Sequence, residues 1–141
     1  MIEVLNLQSR YWVDRRKFAG LLARLVQRYE IGDPEITLAF VDTRTITRLN
    51  RRFMKRDGPT DVLSFPGGEK IGEGRPYLGD IVISVPQAFK QSFAEAHGLE
   101  TELLDLTVHG FLHLIHFDHG KGIEEEEVRV REALVGGGID A

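Results

Sequence analysis

Hydrophobic and polar positions along the chain follow two different periods, and together they predict an alternation of strands and helices. Short apolar runs predict strands over residues 2–7, 36–41, 62–65 and 80–85. Apolar residues spaced three or four positions apart predict helices over 15–29, 43–54 and 124–135, and a proline suited to a first turn predicts another over 86–97. The segment 101–115 is apolar on nearly every side, which is typical of a buried central helix.

Four strands interleaved with five helices indicate a mixed α/β or α+β domain. The segment 67–76 contains four glycines and is predicted to be a loop. Gly98 is expected to be the C-cap of the helix before it, and residues 136–141 are expected to form a frayed tail. No linker divides the sequence, so we expect one domain over residues 1–141.

The composition is that of a globular protein, with 42% hydrophobic and 28% charged residues among 141. No run of 18 apolar residues predicts a membrane span, and the N-terminus lacks the layout of a signal peptide. The chain has no cysteine, which excludes disulfide-linked partners, thiolate zinc sites and cysteine nucleophiles. A cytoplasmic protein without a membrane partner is the default expectation.

The net charge of −4 disfavours a globally basic nucleic-acid binder, but the charge is unevenly distributed. Six cations occupy one 13-residue window: Arg44, Arg48, Arg51, Arg52, Lys55 and Arg56. Residues 44, 48 and 52 share one face of the predicted helix. This row is either a contact for a phosphate backbone or a solvated helix face.

Four of the five histidines lie within the segment VHGFLHLIHFDHG. His109 and His113 are one helical turn apart on one face, and a turn in the chain could bring His119 to the same point. Three imidazoles leave the fourth position of a tetrahedral zinc ion open, as in catalytic sites. The alternative is a set of core or surface histidines. His116 is predicted to be the turn residue, with a left-handed backbone, and not a ligand.

The same spacing occurs in metzincin proteases, whose pattern is H-E-x-x-H-x-x-G-x-x-H. Here Gly110 replaces the glutamate that acts as general base, and His116 replaces the turn glycine. Without its proton acceptor, peptide hydrolysis is disfavoured, whereas metal-dependent hydrolysis as a class is not.

VHGFLHLIHFDH also resembles the H-G-x-L-H-L-x-G-Y-D-H signature of the YbeY family of bacterial endoribonucleases. Two further stretches, LNRRFMKRDGPTDVLSFP and LGDIVIS, resemble family motifs in the same order. The resemblance implies an α+β, zincin-like fold, in which a mixed four-stranded sheet packs with about five helices. It also implies a zinc-dependent, single-strand-preferring endoribonuclease that matures the 3′ end of small-subunit ribosomal RNA and serves ribosome quality control. The implied ligands of one Zn²⁺ are His109, His113 and His119, and the implied partners are ribosomal RNA and the small ribosomal subunit.

The chain departs from the family where Met54 stands in place of an arginine thought to hold substrate phosphate. Arg52, Lys55 and Arg56 are the candidate replacements. The general base is not identified by the sequence, and Asp61 and Asp80 are candidates for it or for ordinary turn caps. Asp118 could orient a ligand ring.

Two other functions remain open at this point. One is a zinc hydrolase of another substrate class, such as a metalloprotease-like enzyme. The other is a non-catalytic ribosome-binding module in which zinc only holds the fold.

Overall fold

The computed structural model describes residues 1–67, 70–71, 75–116 and 122–135. Its strands are β1 (Ile2–Asn6), β2 (Glu35–Val41), β3 (Val62–Pro66), β4 (Lys70–Ile71) and β5 (Arg75–Ser84). Its helices are α1 (Arg15–Arg28), α2 (Thr43–Met54), α3 (Val85–Ala94), α4 (Leu99–Leu114) and α5 (Ile123–Val130), and α5 continues into a π-helical turn, Arg131–Val135. The fold is therefore α+β, as predicted.

The main sheet has the strand order β1-β2-β5-β3 and is mixed. The first three of these strands are parallel, and β3 runs antiparallel to β5, with Ser64 opposite Ile81. The short β4 pairs with the start of β5. This confirms the predicted mixed four-stranded sheet and adds a two-residue strand that the sequence did not indicate.

Helices pack against both faces of the sheet. The strands β2 and β5 are the most buried, because they also occupy its two central positions. On one face, fully buried side chains of α1 and α4, such as Leu22 and Phe111, pack against Leu38 and Ile81. On the other face, α2 inserts Ile46 among side chains of β2, β3 and β5. The central helix α4 is buried along most of its length, as its apolar sequence predicts.

Local sequence sets the starts of helices α2 and α3. The Asp42 side chain accepts a hydrogen bond from the Thr45 N–H at 2.8 Å and begins α2. The Ser84 hydroxyl accepts from the Gln87 N–H at 3.3 Å, and Pro86 lies in the first turn of α3. Both caps follow directly on a strand, which places the starts of α2 and α3 at the same end of the parallel strands β2 and β5.

Three sequence predictions are wrong in their details. The segment predicted as a loop over 67–76 contains β4 and the first residues of β5, which is longer than predicted. The helix predicted over 86–97 ends at Ala94, and Gly98 is the N-cap of α4 instead of a C-cap. The left-handed residue after α3 is Ala96, with φ of 56°. The predicted tail over 136–141 lies outside the described residues.

Gly79 explains how β5 can extend so far. Its φ of 137° is unfavourable for other residues, and a Cβ atom there would lie 2.4 Å from the Phe65 carbonyl oxygen. The β5–β2 register shifts beside it, at Glu35 and Ile36. Among the described helices, none is long and apolar enough to cross a membrane.

Candidate active site

Helix α4 lies in close contact with the sheet at Gly110. A Cβ atom at this position would be 2.7 Å from the Ile81 side chain and 3.2 Å from the Ser64 hydroxyl. That hydroxyl donates a hydrogen bond to the Gly110 carbonyl oxygen at 3.0 Å. The helix is thus fixed against β3 and β5, and His109, next to Gly110, lies beside β3 at the edge of the sheet.

His109 and His113 are brought together on α4, one turn apart. Their ring centroids are 4.6 Å apart, the rings are inclined at 70°, and their two Nε2 atoms are 3.0 Å apart. Two nitrogen ligands of a tetrahedral zinc ion lie roughly 3.4 Å apart, given zinc–nitrogen distances of about 2.0–2.1 Å. The two imidazoles therefore fit one zinc ion with only a small displacement.

These two rings border an open cleft of about 420 Å³. Its other walls come from the end of α2, from the connection to β3 and from β3 itself, and include Asn50, Thr60, Asp61 and Ser64. The Asn50 side-chain amide donates to the Gly58 carbonyl oxygen at 3.1 Å, and the backbone carbonyl oxygen of Asn50 accepts from the Arg56 N–H at 3.4 Å. Asn50 thereby orders the wall opposite the histidines.

The three predicted phosphate-binding cations are not equivalent in the structure. Arg56 lines the cleft, together with Met54. Arg52 lies over the exposed ring of Phe53, 5.3 Å from its centroid. Lys55 is the left-handed C-cap of α2, and its ammonium group donates to the Arg52 carbonyl oxygen at 3.4 Å. Of these three cations, only Arg56 therefore lines the cleft.

Asp61 and Asp80 also differ. Asp61 lines the cleft with His109, and its carboxylate accepts hydrogen bonds from the Val62 N–H at 2.7 Å and from the Gln91 side chain at 3.2 Å. Asp80 lies within β5 opposite Phe65, and its carboxylate accepts from the Tyr77 hydroxyl at 2.7 Å. That hydrogen bond, helped by burial, raises the pKa of Tyr77 to about 12.

The predicted turn after α4 is present. His116 has a φ of 72°, and its N–H donates to the His113 carbonyl oxygen at 3.1 Å. The prediction of a left-handed backbone at this residue is confirmed. The predicted third ligand, His119, and the neighbouring Asp118 lie outside the described residues.

Glu127 holds the far side of the His109 ring. Its carboxylate is hydrogen bonded to His109 Nδ1, and 20% of its side chain is exposed. This hydrogen bond raises the pKa of His109 against the opposing effect of burial. Glu127 was not predicted as a site residue, because it lies in an acidic block on another helix and no spacing rule links it to His109.

A second group of side chains beside α4 could also hold a metal ion. Three potential ligand atoms lie within 4.8 Å of one another, one each from Glu95, His97 and Glu102. No spacing rule in the sequence links these three residues, because they flank the turn between α3 and α4. His97 Nε2 is only 2.6 Å from the Glu102 carboxylate, so the two already form a hydrogen bond. Burial raises the pKa of Glu102, whose side chain is 7% exposed.

Together these features define an α+β protein in which a buried helix presents a pair of imidazoles to an open cleft. The sequence model of the family described as Endoribonuclease YbeY matches residues 4–136. The chain belongs to the YbeY family.

Individual relatives agree with this assignment. A protein named Endoribonuclease YbeY from Pelotomaculum thermopropionicum is 41% identical over 138 residues, which cover 92% of this chain and 90% of the relative. The protein of the same name from Aquifex aeolicus is 45% identical over 97 residues, and that match spans 69% of this chain but only 64% of the relative. The solution structure of TM1509 from Thermotoga maritima is similar with a TM-score of 0.63 at 25% identity, and the match covers 100% of this chain and 96% of that one.

Proposed function

We propose that this protein is a zinc-dependent endoribonuclease that cleaves single-stranded RNA during maturation of the 3′ end of small-subunit ribosomal RNA, and that it serves ribosome quality control. Family membership supports the reaction class, since relatives that match most of the chain are named endoribonucleases. The observation that carries the proposal is the imidazole pair of His109 and His113 at the edge of a cleft that also contains Arg56. The working unit is one metallohydrolase domain over residues 1–141.

One zinc ion is proposed to bind His109, His113 and His119. The donor chemistry fits, because imidazole nitrogens are common zinc ligands and two of them already converge. The ion would supply hydroxide at neutral pH and stabilise negative charge on a phosphoryl oxygen. Glu95, His97 and Glu102 fit less well, since the hydrogen bond between His97 and Glu102 already accounts for two of these side chains without a metal.

RNA is a better substrate than a peptide for this cleft. A metzincin-type protease needs a glutamate at position 110, but α4 approaches β5 too closely there even for a Cβ atom. Arg56 can donate charge-assisted hydrogen bonds to a phosphate, and Arg52 and Lys55 add positive charge nearby. Of the two acidic candidates for proton transfer, we propose Asp61, because its carboxylate lies in the cleft beside His109.

Ribosomal RNA and the small ribosomal subunit are the proposed partners, and this role would place the protein in the cytoplasm. The substrate surface is proposed to run from the imidazole pair toward Arg56, along the cleft wall that Asn50 orders. Binding of a single strand requires positive charge along the path of its backbone, which Arg56 supplies in this cleft.

The test is metal analysis combined with cleavage of single-stranded ribosomal RNA, with and without chelator. We expect His113→Ala to lose zinc and cleavage while circular dichroism shows a folded protein. Glu95→Gln, which alters the other candidate metal group at an exposed side chain, serves as the control and should retain both. A folded His113→Ala protein that cuts RNA at the wild-type rate would contradict the proposal.

Two outcomes would favour the other functions. Cleavage of a peptide library but not of RNA would indicate a zinc hydrolase of another substrate class. Binding to the small ribosomal subunit without any cleavage would indicate a non-catalytic zinc module.

A further inference from the structure

We propose that Glu127 is a positioning residue for the metal centre, which holds His109 so that its Nε2 atom is presented to zinc. The inference rests on the proposed function, because it assigns His109 as a ligand. It concerns a residue of α5, 14 positions beyond His113 in sequence, that contacts the opposite side of the His109 ring from His113.

The hydrogen bond determines which ring nitrogen carries the proton. An ionised carboxylate can only accept, so His109 Nδ1 must donate to Glu127. In the neutral ring this leaves the lone pair on Nε2, the nitrogen 3.0 Å from His113 Nε2. Glu127 thus selects the tautomer that a metal at the imidazole pair requires, and it also fixes the rotation of the ring.

Glu127 is itself held in place from both ends of α5. Ile123 and Val130 are fully buried in the main core and anchor the helix. The carbonyl oxygen of Glu127 accepts from the Arg131 guanidinium at 3.4 Å, and the same guanidinium reaches the Asp105 carboxylate of α4. The carboxylate of Glu127 therefore meets His109 from a rigid support, so little additional ordering is needed when a metal binds.

The contact also couples α5 to the metal. A ligand that binds only the folded arrangement of His109 and Glu127 stabilises that arrangement by mass action. Zinc should therefore slow hydrogen exchange of the α5 amides as well as those of α4. Because zinc also stabilises the whole fold, every amide that exchanges through global unfolding gains some protection. A Glu127 side chain with a purely structural role would give α5 no more of this protection than the distant helix α1 receives.

The experiment measures Zn²⁺ affinity of the metal-free full-length protein by competition with a chromophoric chelator. Glu127→Ala should weaken binding roughly 10–100-fold, the usual effect of losing a group that orients a metal ligand. Glu127→Gln should lose less, because its amide oxygen can still accept from Nδ1. Glu125→Ala is the matched control: it removes the same charge from an exposed position on the same helix and should change the affinity less than about twofold.

Hydrogen exchange gives the second readout. The variant His109→Ala separates failure of the proposed role of Glu127 from failure of the proposed metal site. With zinc at saturating concentration, we expect α5 to gain more protection than α1 in the wild type and in Glu125→Ala, and this excess to be lost in Glu127→Ala. Wild-type affinity in both Glu127 variants would overturn the role of Glu127 and leave the metal site intact. Wild-type affinity in His109→Ala would overturn the metal site itself. If Glu127→Ala fails to fold, Glu127→Leu carries the test, because leucine keeps the bulk of the side chain but offers no acceptor to Nδ1, and an affinity equal to that of the wild type would refute the inference.

Discussion

Replacing Gly110 by alanine tests the close contact between α4 and the sheet on which the site depends. The added methyl group would lie 2.7 Å from Ile81 Cγ2, 3.2 Å from Ser64 Oγ and 3.4 Å from Val62 Cγ2. Ile81 is fully buried and paired on both sides within the sheet, so it cannot easily move away. The helix must then shift outward or the core must distort.

Two opposing effects set the magnitude. Overpacking a core by one carbon costs about 1–3 kcal/mol. Replacing glycine by alanine inside a helix contributes about 0.8–1.0 kcal/mol of stability. Gly20 in α1 isolates the second effect, because it is exposed and a Cβ atom there meets nothing within 4 Å.

We therefore expect Gly20→Ala to raise the free energy of unfolding. The free energy of unfolding of Gly110→Ala should be about 1–3 kcal/mol lower than that of Gly20→Ala. For a protein of this size the gap corresponds to roughly 4–12 °C in Tm. The assay is urea unfolding followed by circular dichroism, with differential scanning calorimetry for Tm. If Gly110→Ala were as stable as Gly20→Ala, the contact would not be tight. The argument that position 110 excludes a protease glutamate would then lose its structural basis.

Two further predictions concern the turn after α4 and the cleft. His116→Gly should leave zinc stoichiometry unchanged and shift the free energy of unfolding by less than about 1 kcal/mol, since glycine adopts a φ of 72° without strain; a large loss of metal would identify His116 as a ligand. Arg56→Ala should weaken RNA binding and reduce the slope of log affinity against log salt by about 0.7, whereas Arg24→Ala, which removes a charge from exposed α1, should not. Met54→Arg in the Arg56→Ala background should restore part of the RNA affinity. If alanine variants of Arg52, Lys55 and Arg56 all match the wild type across the salt series, these cations form a solvated helix face and do not contact RNA.

The sequence predicted the helices and buried strands well because their apolar periodicity reflects burial directly. Ile46 of α2 and Phe111 of α4 are fully buried, as their spacing requires. The errors lie where glycine was given its commonest role. The glycine-rich segment 67–76 was predicted to be a loop but contains β4 and the first residues of β5, and Gly98 begins a helix instead of ending one. A glycine permits several backbone conformations, so its position alone does not decide between them.

In the candidate site, contacts between residues close together on one helix could be predicted from the sequence, whereas contacts that depend on tertiary packing could not. His109 and His113 are four residues apart on one helix, so helical geometry alone brings their rings together. The three cations Arg52, Lys55 and Arg56 also lie within four residues of one another. Only Arg56 of the three lines the cleft, because the left-handed C-cap at Lys55 changes the direction of the chain between Arg52 and Arg56.

The contact between Glu127 and His109 depends on how α5 packs against α4, 18 residues away in sequence. In the sequence Glu127 is one of four consecutive glutamates, and such a run ordinarily marks a solvated helix start near the positive end of the helix dipole. Burial divides the run: Glu124 and Glu125 are exposed, whereas Glu126 is bonded to Tyr29 and Glu127 to His109. Which member of a charge run acquires a function is decided by the face that the helix turns toward its neighbours, and the anchors Ile123 and Val130 fix that face here.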